Sequence, residues 1–487
     1  MPAVVAKIVC GIWVAALFYL NRDKSVRTSP ALWIPVLWLA ITGSRPITMW
    51  LGIGGSGDVF QDQTVAALDN GNPIEALFYG TLTLIGIVII GSRWRSVRPI
   101  LATSWPVLLY FGYCLLSVAW SDSPDIAVKR WIKATGDVVM ALLVVTDPQP
   151  LPALRRLLSR LGFLLLPFSV IAIRYIPQIG RYFEFWDGSP GNGGVTLNKN
   201  ALGVDAFILG LGALWQVLRL LPRSNIPNRS RQLIAQGILL AVAVYLCLIA
   251  HSATAGTCFT LTAALMLILH TRKYKGHPKP VKSLILTLVV LGVLIQVSGA
   301  RTFVIHDLIG RKSNLTDRAD KIWPVLIPMC PNVLLGAGFE SFWTGDRMAK
   351  LWSALPGEHL NQSHNGYIEV YLQLGLVGLI LLGSIWIHGY RTAVAAIRND
   401  PNGASLMLVY ILAVPLYNYT EAGCRMLFYT WTFFLLLVMM AGYILKNTSQ
   451  TKTPQTTRRA WPAVGRGPFT EEWRYGQQPG VRSGFLS

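Results

Sequence analysis

The residues of this chain best suited to chemistry sit in polar breaks between long apolar runs, and the longest break covers residues 310–369. It opens with GRKSNLTDRADKIW, continues through LLGAGFESFW and closes on SHNGYIE. Within it, Arg318 lies one turn from both Leu315 and Ile322, a spacing that predicts an interfacial amphipathic helix. An arginine held at membrane depth is costly without a ligand or partner, and a guanidinium grips phosphate oxygens two at a time. Arg318 is therefore a candidate phosphate binder; the competing reading is an ion pair with Asp317 or Asp320. Arg311 and Lys312 read as solvated or headgroup-facing charges. His364 stands where the break re-enters an apolar run, followed by Asn365 and, one turn later, Glu369. That boundary suits a base of near-neutral pKa acting on an acceptor hydroxyl, set against a purely structural hydrogen bonder.

Other breaks hold a second set of polar groups. Trp120-Ser121-Asp122-Ser123-Pro124-Asp125 runs into Lys129 and Arg130, and Lys199-Asn200, His359, Asn418 and Glu421 follow. Arg130 is a second candidate contact for an anionic donor, while Lys133 and Asp137 form an i,i+4 pair that makes Asp137 a local counter-ion. Ser252 and Thr254 can hydrogen-bond a donor or pack helices as small polar residues do. A zinc site built on Glu358, His359 and His364 is disfavoured, because a five-residue spacing does not put both rings on one helical face. We expect no metal and no cofactor. Charge on a phosphate-bearing ligand then falls to arginines.

The elements that must position these residues are membrane helices. Only 14% of the 487 residues are charged and 53% are hydrophobic, with a mean hydropathy of +0.46, which is too few charges for a water-facing surface. Runs able to span a bilayer fall near 3–20, 31–51, 74–91, 99–120, 132–146, 157–174, 200–221, 233–250, 254–270, 283–299, 366–388, 404–418 and 424–445. The expected fold class is thus all-α, a polytopic integral membrane bundle of about 12 or 13 spans. Short basic loops at 21–30, 92–98, 222–232 and 271–282, with Arg391 and Arg398, read as cytoplasmic. The alternate breaks, including a large catalytic loop at 300–365, then face the other side. Residues 1–446 form the membrane domain, and 447–487, rich in Thr, Gly, Pro, Gln and Arg, read as a disordered basic cytoplasmic tail. The first 20 residues read as a retained span rather than a cleaved signal. The net charge of +20 is explained by loop charges beside lipid, with no aromatic and basic platform for nucleic acid. The six cysteines have neither zinc spacing nor a disulfide framework.

Several segments in order, WIPVLWLAITGSRPITMWLG, WSDSPDIAVKRWI, GVTLNKNALG, HSATAGTCFTL, GRKSNLTDRADKIWPVLIP, SHNGYIEVYLQLGLVGL and YNYTEA, resemble the O-antigen ligase and polymerase family, in particular its exopolysaccharide-production branch. The resemblance covers roughly residues 30 to 445. It implies a metal-independent glycosyltransferase of the bacterial inner membrane, moving glycan from an undecaprenyl-pyrophosphate carrier to a glycan or lipid-linked acceptor at the periplasmic face. It implies as partners the membrane lipids and other polysaccharide-assembly proteins. It places His364 as the loop histidine, Arg318 as the arginine before the Ile-Trp pair, and Lys199 with Asn200 as the Lys-Asn pair. It further aligns Arg130 with the arginine after Trp-Ser-Asp, and Asn418 and Glu421 with a late Asn-x-x-Glu element. Ala253 and Thr254 stand where many members carry an arginine, which weakens a pyrophosphate role there. Polymerase and ligase remain open, and the rival class is a transporter or flippase of a lipid-linked or anionic solute. That rival calls for charges near the midplane and related halves, whereas the charges here cluster in loops.

Overall fold

The computed structural model describes residues 2–53, 71–184, 188–222, 226–298, 318–355 and 360–451. Arg311, Lys312, Asp317, Glu358, His359 and the tail beyond residue 451 lie outside these residues, and so do the expectations made for them. Helices dominate the described chain: α1 (Ala3–Leu20), α2 (Trp33–Thr42), α3 (Pro73–Ser92), α4 (Trp94–Thr103), α5 (Trp105–Leu116), α6 (Pro124–Val145), α7 (Pro150–Tyr175) and α8 (Lys199–Leu220). They continue with α9 (Arg229–Ala250), α10 (Ala253–Leu269), α11 (Pro278–Val297), α12 (Gly345–Ala354), α13 (Gly366–Ala396), α14 (Pro401–Asn418) and α15 (Tyr429–Thr451). The two short strands, β1 (Arg181–Phe183) and β2 (Pro190–Asn192), form an antiparallel hairpin between α7 and α8. The protein is an all-α, polytopic integral membrane protein.

Among the described residues, seven helices are long and apolar enough to cross a membrane, and the pair formed by Trp94–Thr103 and Trp105–Trp120, bent by 87°, makes an eighth. The sequence reading of 12 or 13 spans also counts shorter apolar runs, and three of those that fall short of this length and composition have local causes. The run at 31–51 stops at Gly43, where a Cβ would come within 2.8 Å of the Tyr429 ring. The run at 132–146 is the second half of α6, whose first half carries Lys129, Arg130 and Lys133. The run at 254–270 is the 17-residue α10, shorter than a full span. Of the seven, α8 and α15 are the most enclosed and α1 and α3 the least. The bundle is therefore centred on α8, packed against α7, α9 and α10, and on α15, packed against α6, α13 and α14. Starts are set by side-chain caps: Asn198 Oδ1 accepts from Ala201 N at 2.9 Å before α8, and Asn365 Oδ1 accepts from Tyr367 N and Ile368 N before α13.

The helix that follows His364 is broken inside the bundle. Gly375 has φ +62° and ψ −161°, a conformation open to glycine and not to a β-carbon. The backbone groups released by the break are taken up by the segment 333–338. Leu376 N donates to Val333 O at 2.9 Å and Val377 N to Leu334 O at 3.2 Å, while Ala337 N and Gly338 N donate to Leu372 O and Gln373 O at 3.0 and 2.8 Å. Irregular backbone at membrane depth survives only when protein groups satisfy it, as they do here. The sequence reading took this stretch as one continuous apolar run, because a single glycine leaves hydropathy unchanged. The break docks the Phe339–Trp343 stretch against the bundle, next to the described turn at Ser363–Asn365.

A Cβ at Gly375 would lie 2.2 Å from Leu334 O. Gly375→Ala is therefore expected to destabilise the folded state by at least ~1–3 kcal/mol from the backbone conformation alone. The check is thermal unfolding of the purified protein in detergent, and an unchanged midpoint would contradict this account of the break.

Candidate functional site

The site is built at the end of α14. Asn418 closes that helix: its Nδ2 donates to Val414 O at 2.9 Å, and its Oδ1 accepts from Gly423 N and Cys424 N at 2.9 and 3.0 Å. The chain is thereby folded back tightly over Tyr419–Gly423. Gly366, at the start of α13, lies so close that a Cβ there would sit 1.8 Å from Asn418 Oδ1. Asn365 Nδ2 donates to Tyr419 O at 3.0 Å, fixing the two loops to each other. Asn418 is thus a buried structural clamp.

This fold-back presents Glu421, which is 8% exposed, to groups from three other parts of the chain. Arg318 Nη1 donates to Thr420 O at 2.6 Å and to Glu421 Oε1 at 3.4 Å, and its Nη2 to the same oxygen at 3.5 Å. His364 Nδ1 lies 3.4 Å from Glu421 Oε2. Asn200, one residue into α8, donates to Glu421 Oε1 at 3.2 Å. Ser252 Oγ donates to Asn200 Oδ1 at 3.0 Å, and Thr254 Oγ1 lies 2.8 Å from Thr420 Oγ1. Burial pushes the Glu421 carboxyl up, but the His364 hydrogen bond and the Arg318 and His364 charges outweigh it and hold the group below its ordinary value. Glu421 therefore stays ionised near neutral pH. With Nδ1 facing that carboxylate, Nε2 is the ring nitrogen through which His364 can exchange a proton with a substrate.

His364 itself sits at φ +52°, an uncommon conformation for a residue with a β-carbon. Its neighbours hold it there. Ser363 N and Oγ both donate to Glu369 Oε2 at 2.9 Å, and Glu369 Oε1 accepts from Trp343 Nε1 at 2.6 Å and Gln373 Nε2 at 2.9 Å. Glu369 is 1% exposed, so this buried carboxylate fixes the residue before His364, while Asn365, the one after, is fixed by its bonds to Tyr419 O, Tyr367 N and Ile368 N.

A second polar group centres on Glu340. Arg130 Nη1 donates to the Glu340 carbonyl, and Trp120 Nε1 to Leu335 O at 3.3 Å, so the Trp-Ser-Asp stretch docks on the segment that fills the α13 break. Burial raises the Glu340 carboxyl, opposed by the Arg425 and Arg130 charges and reinforced by Glu369. Arg425 also donates to Gln362 Oε1 at 3.3 Å, next to the His364 turn. The structure thus gathers His364, Arg318, Asn200, Ser252, Thr254 and Glu421 in one place, and sets Arg130 with Glu340. Lys199 is not brought to Glu421: its Nζ pairs with Glu184 Oε1 at 2.6 Å, and its side chain is 37% exposed. The adjacent Asn200 is the half of the Lys-Asn pair that enters the site. Arg318 pairs with Glu421, 103 residues away. Asp137 is no counter-ion of Lys133: it is fully buried and accepts from Trp38 Nε1, Leu427 N and Thr432 Oγ1, tying α2, α6 and α15 together. Sequence reasoning passed over Arg425 and Glu340; the available signal for Arg425 was its place four residues after Glu421. Among the described residues no group of three or more His, Cys, Asp or Glu is placed to hold a metal ion.

Because the folded state depresses the Glu421 carboxyl, its contribution to stability is present above the ordinary value of 4.5 and is lost as pH falls through the lower folded value. Glu421→Gln is expected to lower the unfolding midpoint at neutral pH, with the gap to wild type closing below pH 4.5. A gap of constant size across that range would contradict an ionised Glu421.

Residues 238–383 match the O-antigen ligase family. That segment holds Ser252, Thr254, Arg318 and His364, whereas Glu421 and Asn200 lie outside it. The chain is also similar to the exopolysaccharide production protein ExoQ of Rhizobium meliloti (strain 1021), with 23% identity over 341 residues, covering 65% of this chain and 71% of that protein. Both findings support an O-antigen ligase and polymerase-like family for this chain.

Proposed function

We propose that this protein is a membrane glycosyltransferase of polysaccharide assembly. It transfers glycan from an undecaprenyl-pyrophosphate carrier to a glycan or lipid-linked acceptor at the periplasmic face of the bacterial inner membrane. The observation that carries this reading is the convergence of His364 and Arg318 on the single buried carboxylate of Glu421. In the proposed step, His364 Nε2 takes the proton of an acceptor hydroxyl as the oxygen attacks the anomeric carbon. The bond from that carbon to the pyrophosphate oxygen breaks, and the leaving group departs with the electron pair. Glu421 stabilises the imidazolium as it forms, the role a carboxylate plays behind a catalytic histidine. Arg318, and Arg130 at the neighbouring group, meet the charge developing on the pyrophosphate. Asn200, Ser252 and Thr254 bear on the donor by fixing Glu421 and Thr420, while Lys199 lies at the rim. In this reading 1–446 is the membrane domain, and the described residues of the 300–365 loop supply one wall of the site.

The similarity to a protein of exopolysaccharide production favours polymerisation of repeat units, and the match to ligases favours transfer to a final acceptor. A deletion strain separates them: carrier-linked single repeats accumulate if the protein polymerises, and finished polymer stays on the carrier if it ligates. Repeats retained on the cytoplasmic leaflet would point instead to a flippase. Restoring the strain with His364→Ala is expected to leave the protein inserted but reduce transfer by about 10²–10⁴-fold, the usual worth of a positioned base. Arg318→Ala is expected to cost about 10²–10³-fold, as for loss of one preorganised charge donor. Normal glycan length in the His364→Ala strain would overturn the assignment.

A further inference from the structure

The opposite end of the same helices holds a basic cavity that the proposed reaction does not use. It has a volume of about 390 Å³ and is lined by Asn21, Arg22, Asp23, Lys24, Arg156 and Arg160, among others. Its four cations face one carboxylate, and Asp23 Oδ1 is already engaged by the Ser25 N and Oγ. Asp147, whose charge reaches Arg160, accepts from Ser29 N and Gln149 N. Among the described residues, none of the four cations is ion-paired.

The cavity is built rather than a chance gathering of loop charge. Arg156 is a strut: it donates to Thr28 Oγ1 at 2.7 Å and to Asp23 O and Val26 O at 3.0 and 2.6 Å, holding the 21–28 turn as a rim. Arg160 lies 4.2 Å over the Trp33 ring, and its buried Nη1 has no hydrogen-bond partner among the described residues. Below them is a network of neutral polar groups. Ser159 and Gln216 bond at 3.0 Å, Gln236 Nε2 reaches Ser159 Oγ at 3.0 Å, and the same amide reaches Asn21 Oδ1 at 3.0 Å. Arg22 and Lys24 also line an adjoining cavity of about 340 Å³, where Tyr19, Asn228 and Arg231 join them. Like charges gathered this closely repel one another unless an anion is shared between them.

The two ends are distinct places. Asn200 and Gln216 lie sixteen residues apart on α8, which at 1.5 Å per residue separates the cavity from the Glu421 cluster by about 24 Å along the helix. A group bound at one end does not touch the other.

We infer that this cavity binds a phosphate-bearing anion, with Arg22, Lys24 and Arg160 as its direct contacts and Arg156 holding the rim. Cationic fork and ammonium donors match phosphate oxygens, and a basic pocket between membrane helices at the headgroup level is the form in which anionic phospholipid headgroups are held. The same chemistry would accept a soluble phosphate. The site stands independently of the glycosyl-transfer reading.

The test uses the full-length protein, delipidated in neutral detergent, in wild-type form and as the double variant Arg22→Gln, Lys24→Gln. Both side chains are exposed and bond to nothing else described, so the variant keeps the fold. Thermal unfolding and native mass spectrometry are measured with phosphatidylglycerol, with phosphatidylcholine and with inorganic phosphate. Phosphatidylglycerol is expected to raise the midpoint and remain bound, with about 10-fold weaker binding in the variant and no effect of phosphatidylcholine. A variant-sensitive shift with inorganic phosphate alone would identify a soluble ligand and equally support the site. No shift with either anion, or equal shifts in wild type and variant, would overturn it.

Discussion

The candidate site depends on one buried carboxylate. Glu421 lies in the turn clamped by Asn418, and it receives Arg318, His364 and Asn200 from three elements distant in sequence. A charge this enclosed would be expelled or protonated if left alone. Here the cation and the imidazole offset the desolvation and hold the group ionised. The dependence runs both ways, because Glu421 is the carboxylate on which Arg318 and the His364 ring converge. An uncharged residue at 421 would leave the arginine facing a bare carbonyl and the histidine without an oriented ring.

The rest of the architecture supports that arrangement. Asn418 and Gly366 bring the α14 and α13 ends into contact, at a spacing no β-carbon would allow. Glu369, four hydrogen bonds deep in the bundle, holds the strained turn at His364 from below. The break at Gly375 lets the 333–338 segment enter the helix ladder, so that Trp343 can reach Glu369 at all. Backbone strain at His364 and Gly375 is thus local and is borne by fully satisfied polar groups, the pattern expected where geometry serves chemistry.

Much of this was legible in the sequence, for physical reasons that can be named. Hydrophobic run length marked a helical membrane protein, and polar residues at the mouths of those runs marked His364 and Arg318. Glu421 was singled out as a polar group between runs and given a role by the resemblance of YNYTEA, since nothing local shows that a carboxylate near residue 420 meets an arginine near 320. Arg318 illustrates the limit: sequence offers only near neighbours such as Asp320 as partners, and the fold adds a carboxylate 103 positions away. Run length also hides where an apolar stretch stops or bends, for a related reason. Apolar composition does not reveal a stop at Gly43 or a bend after Thr103, because both are set by tertiary contacts and backbone shape. The basic loop at 21–30 read only as a topology signal, while its closure beside Arg156, Ser159 and Arg160 needed the fold.

The central claim is that Glu421 and His364 act as one unit. It is tested most directly by a double-mutant cycle on the purified enzyme, using single-turnover transfer from a synthetic polyprenyl-pyrophosphate-linked donor. If the carboxylate works through the imidazole, Glu421→Gln combined with His364→Ala loses no more activity than His364→Ala alone. Losses that multiply across the two substitutions would show that the residues act separately and would contradict the account.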